Sequence, residues 1–130
     1  MVLLKEEIEF ATNYFYLLKI RYQHGLNMKI EIEDIVAENF LLPPLSVQIL
    51  IENCIKHNHF TEKLPLNIVI SVLSSQVTVT NNRNVKQFEI QSSQIGLKNL
   101  GERYKLITGT SIEITDNKEI FRVTLPILKS

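Results

Sequence analysis

Glycine and cysteine are scarce in this chain, and net charge is absent. Four glycines, Gly25, Gly96, Gly101 and Gly109, are spread over 130 residues. Neither G-x-G-x-x-G nor G-x-x-x-x-G-K-[ST] can be written with them, which excludes a dinucleotide-binding fingerprint and a Walker-type phosphate loop. The single cysteine, Cys54, cannot close an internal disulfide, so nothing points to an oxidising compartment. Fourteen basic residues balance fourteen acidic ones. That speaks against non-specific nucleic-acid binding, which needs a basic surface to neutralise phosphates. A signal-peptide pattern is missing too, because Met1-Val2-Leu3-Leu4 runs straight into Lys5-Glu6-Glu7. One uncharged run, 64–82, is long enough to test as a membrane span. It holds Asn67, Ser71, Ser74, Ser75, Gln76, Thr78 and Thr80 and largely alternates, which fits two strands and a turn. The expectation is a soluble chain.

What is present is ordinary globular material, 45% hydrophobic and 22% charged, enough for one domain with one core. Leu4, Ile8, Ala11, Phe15, Leu18 and Tyr22 step by four and three, a heptad seam that predicts a helix over 2–22. Leu3, Phe10, Tyr14 and Leu17 widen its apolar surface, so the helix is expected to pack against more than its own domain. Gly25 is a plausible left-handed cap. Met28, Ile30 and Ile32 alternate with charge and predict a strand, and 34–42 reads as a connection. Pro43-Pro44 opens a second helix over 44–58. Leu66 to Val72 and Val77 to Val79 are strands around a Ser74-Ser75 turn. Residues 81–94 read as a loop, 95–107 as a third helix, and 112–125 as a terminal hairpin turning at 115–118. Strands outnumber crossovers, so the expected fold is α/β (α+β): a two-layer sandwich, a mixed sheet with helices on one face plus an N-terminal helix.

The second helix carries the most unusual polar set, Glu52-Asn53-Cys54-Ile55-Lys56-His57-Asn58. Asn53, Lys56 and His57 stand at i, i+3 and i+4 and share a face. An amide oxygen can ligate a hard cation, and an ammonium can balance phosphate charge. Glu52 could act as a base or orient water; a solvated helix end is the plainer alternative. Cys54, His57 and His59 fall within six residues, but their spacing matches no zinc finger and Cys54 is on the apolar face. It reads as a buried core cysteine rather than a ligand or nucleophile. Gly96, at the predicted start of the third helix, would leave N–H groups open to an anion.

Three segments, in this order, resemble the ATP-binding domain of LytS-type sensor histidine kinases, which has the Bergerat fold of gyrase-like ATPases. Glu6-Glu7-Ile8-Glu9-Phe10 through Tyr14, Leu17 and Lys19-Ile20-Arg21-Tyr22 is similar to that class's second dimerisation helix. Leu42-Pro43-Pro44-Leu45, Gln48 and Ile51-Glu52-Asn53-Cys54-Ile55-Lys56-His57 resemble its N box. Ile95-Gly96-Leu97-Lys98-Asn99-Leu100 with Glu102-Arg103-Tyr104 resembles its second glycine box. Residues 112–126 are like its last two strands.

The resemblance implies a division into 1–25, part of a dimerisation and phosphotransfer region, and 26–130, the catalytic domain. It implies ATP and Mg2+ as ligands, with Asn53 on the magnesium that bridges the phosphates. Lys56 and His57 would face phosphate or sugar, and Glu52 would be the acidic neighbour with a base role. Asn81 stands where the family has the aspartate that reads the adenine amino group. Gly96 and Leu97 would form the lid, and Asn99 would begin the helix beneath the phosphates. Further implications are a homodimer through residues 2–22, a response-regulator receiver domain as partner, and a cytoplasmic position in an inner-membrane parent. The membrane would be reached only through upstream segments.

The chain also departs from the pattern. Asn81-Asn82-Arg83-Asn84-Val85 has no glycine where the first box reads Asp-x-Gly-x-Gly, and Gln94 replaces a frequent glycine. Phe88 is all that remains of a phenylalanine-rich box. None of His24, His57 and His59 stands in a phosphoacceptor context, so the expected function is a kinase catalytic domain whose acceptor histidine lies upstream of residue 1. The alternative is a degenerate, non-catalytic dimerisation or regulatory module of the same fold. With its upstream helix absent, the 2–22 segment is expected to self-associate or fray.

Overall fold

The computed structural model describes residues 1–33, 35–84 and 90–129. A short strand β1 (Val2–Leu3) leads into helix α1 (Leu4–Tyr22). Strand β2 (Leu26–Ile32) follows, then β3 (Leu41–Leu42), helix α2 (Ser46–Lys56), and strands β4 (Leu66–Leu73) and β5 (Gln76–Asn82). Helix α3 (Ile90–Thr108) and strands β6 (Glu113–Asp116) and β7 (Ile120–Pro126) complete the chain. The five-stranded sheet has the order β2-β4-β5-β7-β6. Only β2 and β4 pair in parallel; the other neighbours are antiparallel, so the sheet is mixed as expected.

Alternation in the strands decides which face is covered. Leu66, Ile68, Ile70 and Val72 of β4, Val77 and Val79 of β5, and Val123 and Leu125 of β7 are buried against the helices. The opposite face is polar, with Thr78 and Thr124 hydroxyls 3.2 Å apart and Arg122 donating to Thr80 Oγ1. Helix α2 lies at the centre of the helical layer and contributes Val47, Leu50, Ile51 and Cys54 to the core; Leu100 and Tyr104 come from α3. The β4–β5 turn sits where predicted. Its two residues, Ser74 and Ser75, both have positive φ (51° and 63°), the geometry of a tight hairpin turn.

The seam of α1 is divided. Leu4, Ile8 and Ala11 are buried in the same core as the rest of the chain, and Phe15, Leu18 and Tyr22 are partly buried against it. The apolar surface left exposed is Phe10, Tyr16, Leu17 and Ile20. The first half of the seam is therefore covered by this domain, because α1 packs beside α2 and β1 pairs with β3. The turn after α1 also differs from expectation. Gln23 takes the positive φ (49°), while Gly25 is needed for close approach, since a Cβ there would meet the Thr61 carbonyl carbon at 3.1 Å. Residues 34–42 are not a bare connection: Ile35–Asn39 forms a 3-10 turn ahead of β3.

Candidate functional site

The last turns of α2 and the end of β5 meet at one end of the domain, and a single asparagine fastens them. Asn58 is 4% exposed. Its Nδ2 donates to the Cys54 carbonyl at 2.7 Å, satisfying a carbonyl at the helix end, and its Oδ1 accepts the Asn84 N–H at 2.7 Å. The His59 N–H donates to the Asn84 carbonyl. The sequence reading missed Asn58; the available signal was an asparagine just past the last helical residue, where a side chain can serve the helix end and a neighbour together.

Asn81 is a second buried polar group of this region, 2% exposed and on the same face of β5 as Val77 and Val79. Its Nδ2 donates to the Asn82 carbonyl at 2.8 Å, which fixes the orientation of the amide. Its Oδ1 is buried and has no hydrogen-bond partner among the described residues, as is also true of Gln48 Oε1 and Arg103 Nε. A buried acceptor left open is costly, and a ligand N–H would satisfy it. The neighbouring asparagines are engaged. Asn82 Oδ1 accepts the Asn67 N–H, and Asn82 Nδ2 donates to the Pro65 carbonyl. Arg83 pairs with Asp116 and donates to the Asn117 carbonyl, tying the segment after β5 to the β6–β7 turn. Where glycines would leave this backbone free, side-chain amides and an ion pair hold it.

On α2, Asn53 is half-buried and Lys56 exposed; among the described residues the Asn53 amide makes no side-chain hydrogen bond. His57 is the residue after the helix, with φ of −103° and ψ of 1°, so the helix is shorter than the expected 44–58 and the shared face ends at Lys56. Pro43 and Pro44 precede it, and Leu45 adopts a left-handed conformation before the first turn. Glu52 points its chemistry elsewhere: Gln48 Nε2 donates to its Oε1 at 3.0 Å. The Tyr14 hydroxyl of α1 has its pKa raised first by burial and then by the Glu52 charge. The structure thus sets Glu52 toward α1. Cys54 is buried, and burial pushes its thiol up to about 12, so it is protonated and inert. Among the described residues no group of His, Cys, Asp and Glu could hold a metal by itself.

The second glycine segment is arranged differently from expectation. α3 begins at Ile90, so Gly96, Leu97 and Asn99 lie inside a continuous helix and none of them starts it. The N–H of Gly96 is beyond the first four of the helix, which alone lack internal partners. The helix extends back because Gln91-Ser92-Ser93-Gln94 contains no proline or glycine to stop it. Gly96 and Asn99 are exposed, Leu97 is half-buried, and a Cβ on Gly96 would meet nothing. Arg103 donates to the Pro44 carbonyl at 2.9 Å, which sets the second half of α3 beside the start of α2. Val85 and Phe88, the remaining first-box and phenylalanine-box positions, lie outside the described residues.

LytS, a sensor histidine kinase/phosphatase of Staphylococcus aureus (strain MRSA252), is 35% identical over 77 residues, covering 59% of this chain and 13% of LytS. LytS of strain USA300 is 34% identical over the same length. The chain thus spans 13% of the length of these relatives. The catalytic domain of histidine kinase ThkA has the same fold, with a TM-score of 0.61 at 14% identity, covering 99% of this chain and 97% of that one. The cytoplasmic segment of histidine kinase QseC gives 0.59 at 11% identity, covering 99% of this chain and 77% of that one. No protein-family profile matches the chain. In sequence the chain is similar to LytS-type sensor histidine kinases, and its fold is that of histidine-kinase catalytic domains.

Proposed function

We propose that this chain is the ATP-binding catalytic domain of a sensor histidine kinase. In this reading it positions ATP so that the γ-phosphate passes to a histidine upstream of residue 1, and from there to a response-regulator receiver domain. The observation that carries the reading is the open, buried Oδ1 of Asn81. With its NH2 turned to the Asn82 carbonyl, Asn81 offers only an acceptor, which matches the amino group of adenine and opposes the carbonyl of guanine. Asn53 offers an amide oxygen that fits Mg2+, an ion that takes few protein ligands when phosphates supply the others. Bound there, Mg2+ would neutralise phosphate charge. Lys56 adds a mobile positive charge on the same helix face, and His57 stands beyond it at the helix end. The chain's contribution to phosphoryl transfer is positioning and charge compensation.

Glu52, held by Gln48 and adjacent to Tyr14, is assigned the orienting carboxylate at the boundary between α1 and α2. Gly96, Leu97 and Asn99 are assigned to the cover over the phosphates, delivered as a helix. Residues 1–25 are read as the second helix of the dimerisation region, with 26–130 as the catalytic domain. The exposed Phe10, Leu17 and Ile20 of α1, spaced by seven and three, supply the face for a homodimer in the parent protein. No helix among the described residues is long and apolar enough to cross a membrane. A place at the cytoplasmic side of an inner-membrane parent belongs to the same proposal.

The second reading, a regulatory module that no longer binds nucleotide, is favoured by one observation: the glycine of the second box sits inside a helix. A thermal-shift titration separates the two, using ATP and ADP with and without magnesium on this chain and on Asn53→Ala. Ligand at about 50 times its dissociation constant stabilises by about 2.3 kcal/mol. For a domain of this size that is a shift of about 7–12 °C. A magnesium-dependent shift lost in Asn53→Ala supports the kinase reading; no shift at millimolar nucleotide selects the regulatory module.

A further inference from the structure

Glu7 is the one charged residue that the core buries among the described residues, at 7% exposure, and the proposed chemistry has no use for it. It stands with Leu4, Ile8 and Ala11 on the core-facing side of α1, in a stripe that is otherwise apolar. Its carboxylate reaches the start of α2, 38 residues or more along the chain. Oε2 accepts the Leu45 N–H and Oε1 accepts the Val47 N–H, both at 3.2 Å. α2 has no cap of its own. Leu45 is in the left-handed region (φ 65°) and no side chain of the preceding turn bonds to the first helical N–H groups. A local cap needs an extended residue at that position, so the helix takes its acceptor from another element. The same turn is held from two further sides, by Ser46 Oγ donating to the Pro43 carbonyl and by Arg103 donating to the Pro44 carbonyl. The Tyr104 hydroxyl of α3 feels the Glu7 charge as well.

We propose that Glu7 is a positioning residue for the nucleotide site, tying α1 to the start of α2 so that a displacement of α1 moves the Asn53 end of that helix. The regulatory half of this proposal rests on the nucleotide reading above; the positioning half does not. α2 is 11 residues, a rod of about 16 Å whose two ends cannot shift independently while its internal hydrogen bonds hold. Asn58 fastens its far end to the segment after β5, beside Asn81. Glu7 is therefore at one end of a rigid connection and the open acceptors at the other. Linkage makes the coupling reciprocal: a ligand that fixes the far end steadies α1.

The test is residue-resolved hydrogen exchange on the full chain, comparing wild type, Glu7→Gln and Glu9→Gln, the last an exposed glutamate of α1 as control. Without nucleotide, Glu7→Gln is expected to speed exchange about tenfold from 45–48 through to 53–57, while the control changes neither region. Acceleration confined to 45–48 overturns the proposal, because loss of a local cap alone produces that. With ADP and magnesium, wild type is expected to slow exchange at 7–11 as well as at 53–57. Glu7→Gln should keep the slowing at 53–57 and lose it at 7–11; equal slowing at 7–11 in both overturns the coupling. The arm without ligand stands alone: a chain with the expected pattern there but no response to ADP keeps the positioning role and fails the nucleotide reading. If Glu7→Gln does not fold, Glu7→Asp, which keeps the charge and shortens the reach, carries the same comparison.

Discussion

The two ends of α2 are held by different means. At its start the backbone donors are met by Glu7, Ser46 bonds back to Pro43, and Arg103 closes the turn from α3. Toward its end the helix is fastened by Asn58, yet Asn53 makes no side-chain hydrogen bond among the described residues and Asn81 keeps an open acceptor in a buried place. Gln48 Oε1 and Arg103 Nε, beside the start of the helix, are also buried without a partner among the described residues, so an open buried atom does not by itself mark a ligand. In the proposed function the start serves as scaffold and the end takes the ligand, and the same eleven residues connect them.

The largest expected effect tests the scaffold side. Leu50, 1% exposed beneath the middle of α2, should cost about 2–5 kcal/mol as Leu50→Ala, read by urea unfolding. Lys56→Ala, at the open end, should stay within about 0.5 kcal/mol. Comparable losses at both sites would break the contrast.

A smaller effect tests the open side. Asn81→Asp sets a carboxylate oxygen against the Asn82 carbonyl in place of a donor, so the free chain should lose about 1–3 kcal/mol. Added ADP should recover part of that loss, because the carboxylate can take the adenine N–H. Destabilisation that ADP leaves untouched would assign Asn81 to structure alone.

A third effect is confined to alkaline pH. The Cys54 thiol has an ordinary value of 9.0 and is pushed up to about 12 in the fold. The folded chain then holds this proton more tightly than the unfolded one. The corresponding stability is complete below pH 9 and is lost as pH rises toward 12. Cys54→Ala should flatten that part of the alkaline unfolding curve. Tyr14 and Tyr104, also raised by burial, should keep their share above pH 10. Iodoacetamide should not label Cys54 until the chain unfolds.

The elements were legible where a strong local pattern coincides with burial. The strand alternation around Ile68 and Val79, the Ser74-Ser75 turn and the helix after Pro43-Pro44 all stand close to where the sequence placed them. The start of α3 was not legible, because a polar stretch without glycine or proline reads equally as loop or helix until neighbours decide. Glu7 was hidden for a related reason. Glu6, Glu7 and Glu9 look alike in sequence, and only packing buries the second of them.

By itself the sequence determined the class of the fold and the polar set around the end of α2, since these depend on period and residue type, while the adenine-reading place of Asn81 is what the family resemblance implies. Tertiary structure alone decided that Asn81 keeps an acceptor open among the described residues, that Asn58 joins the helix to the segment after β5, that Gly96 is helical and that Glu7 caps a helix from another element. Hydrogen-bond satisfaction between residues distant in the chain is a property of three-dimensional neighbours, and no period in the sequence encodes it.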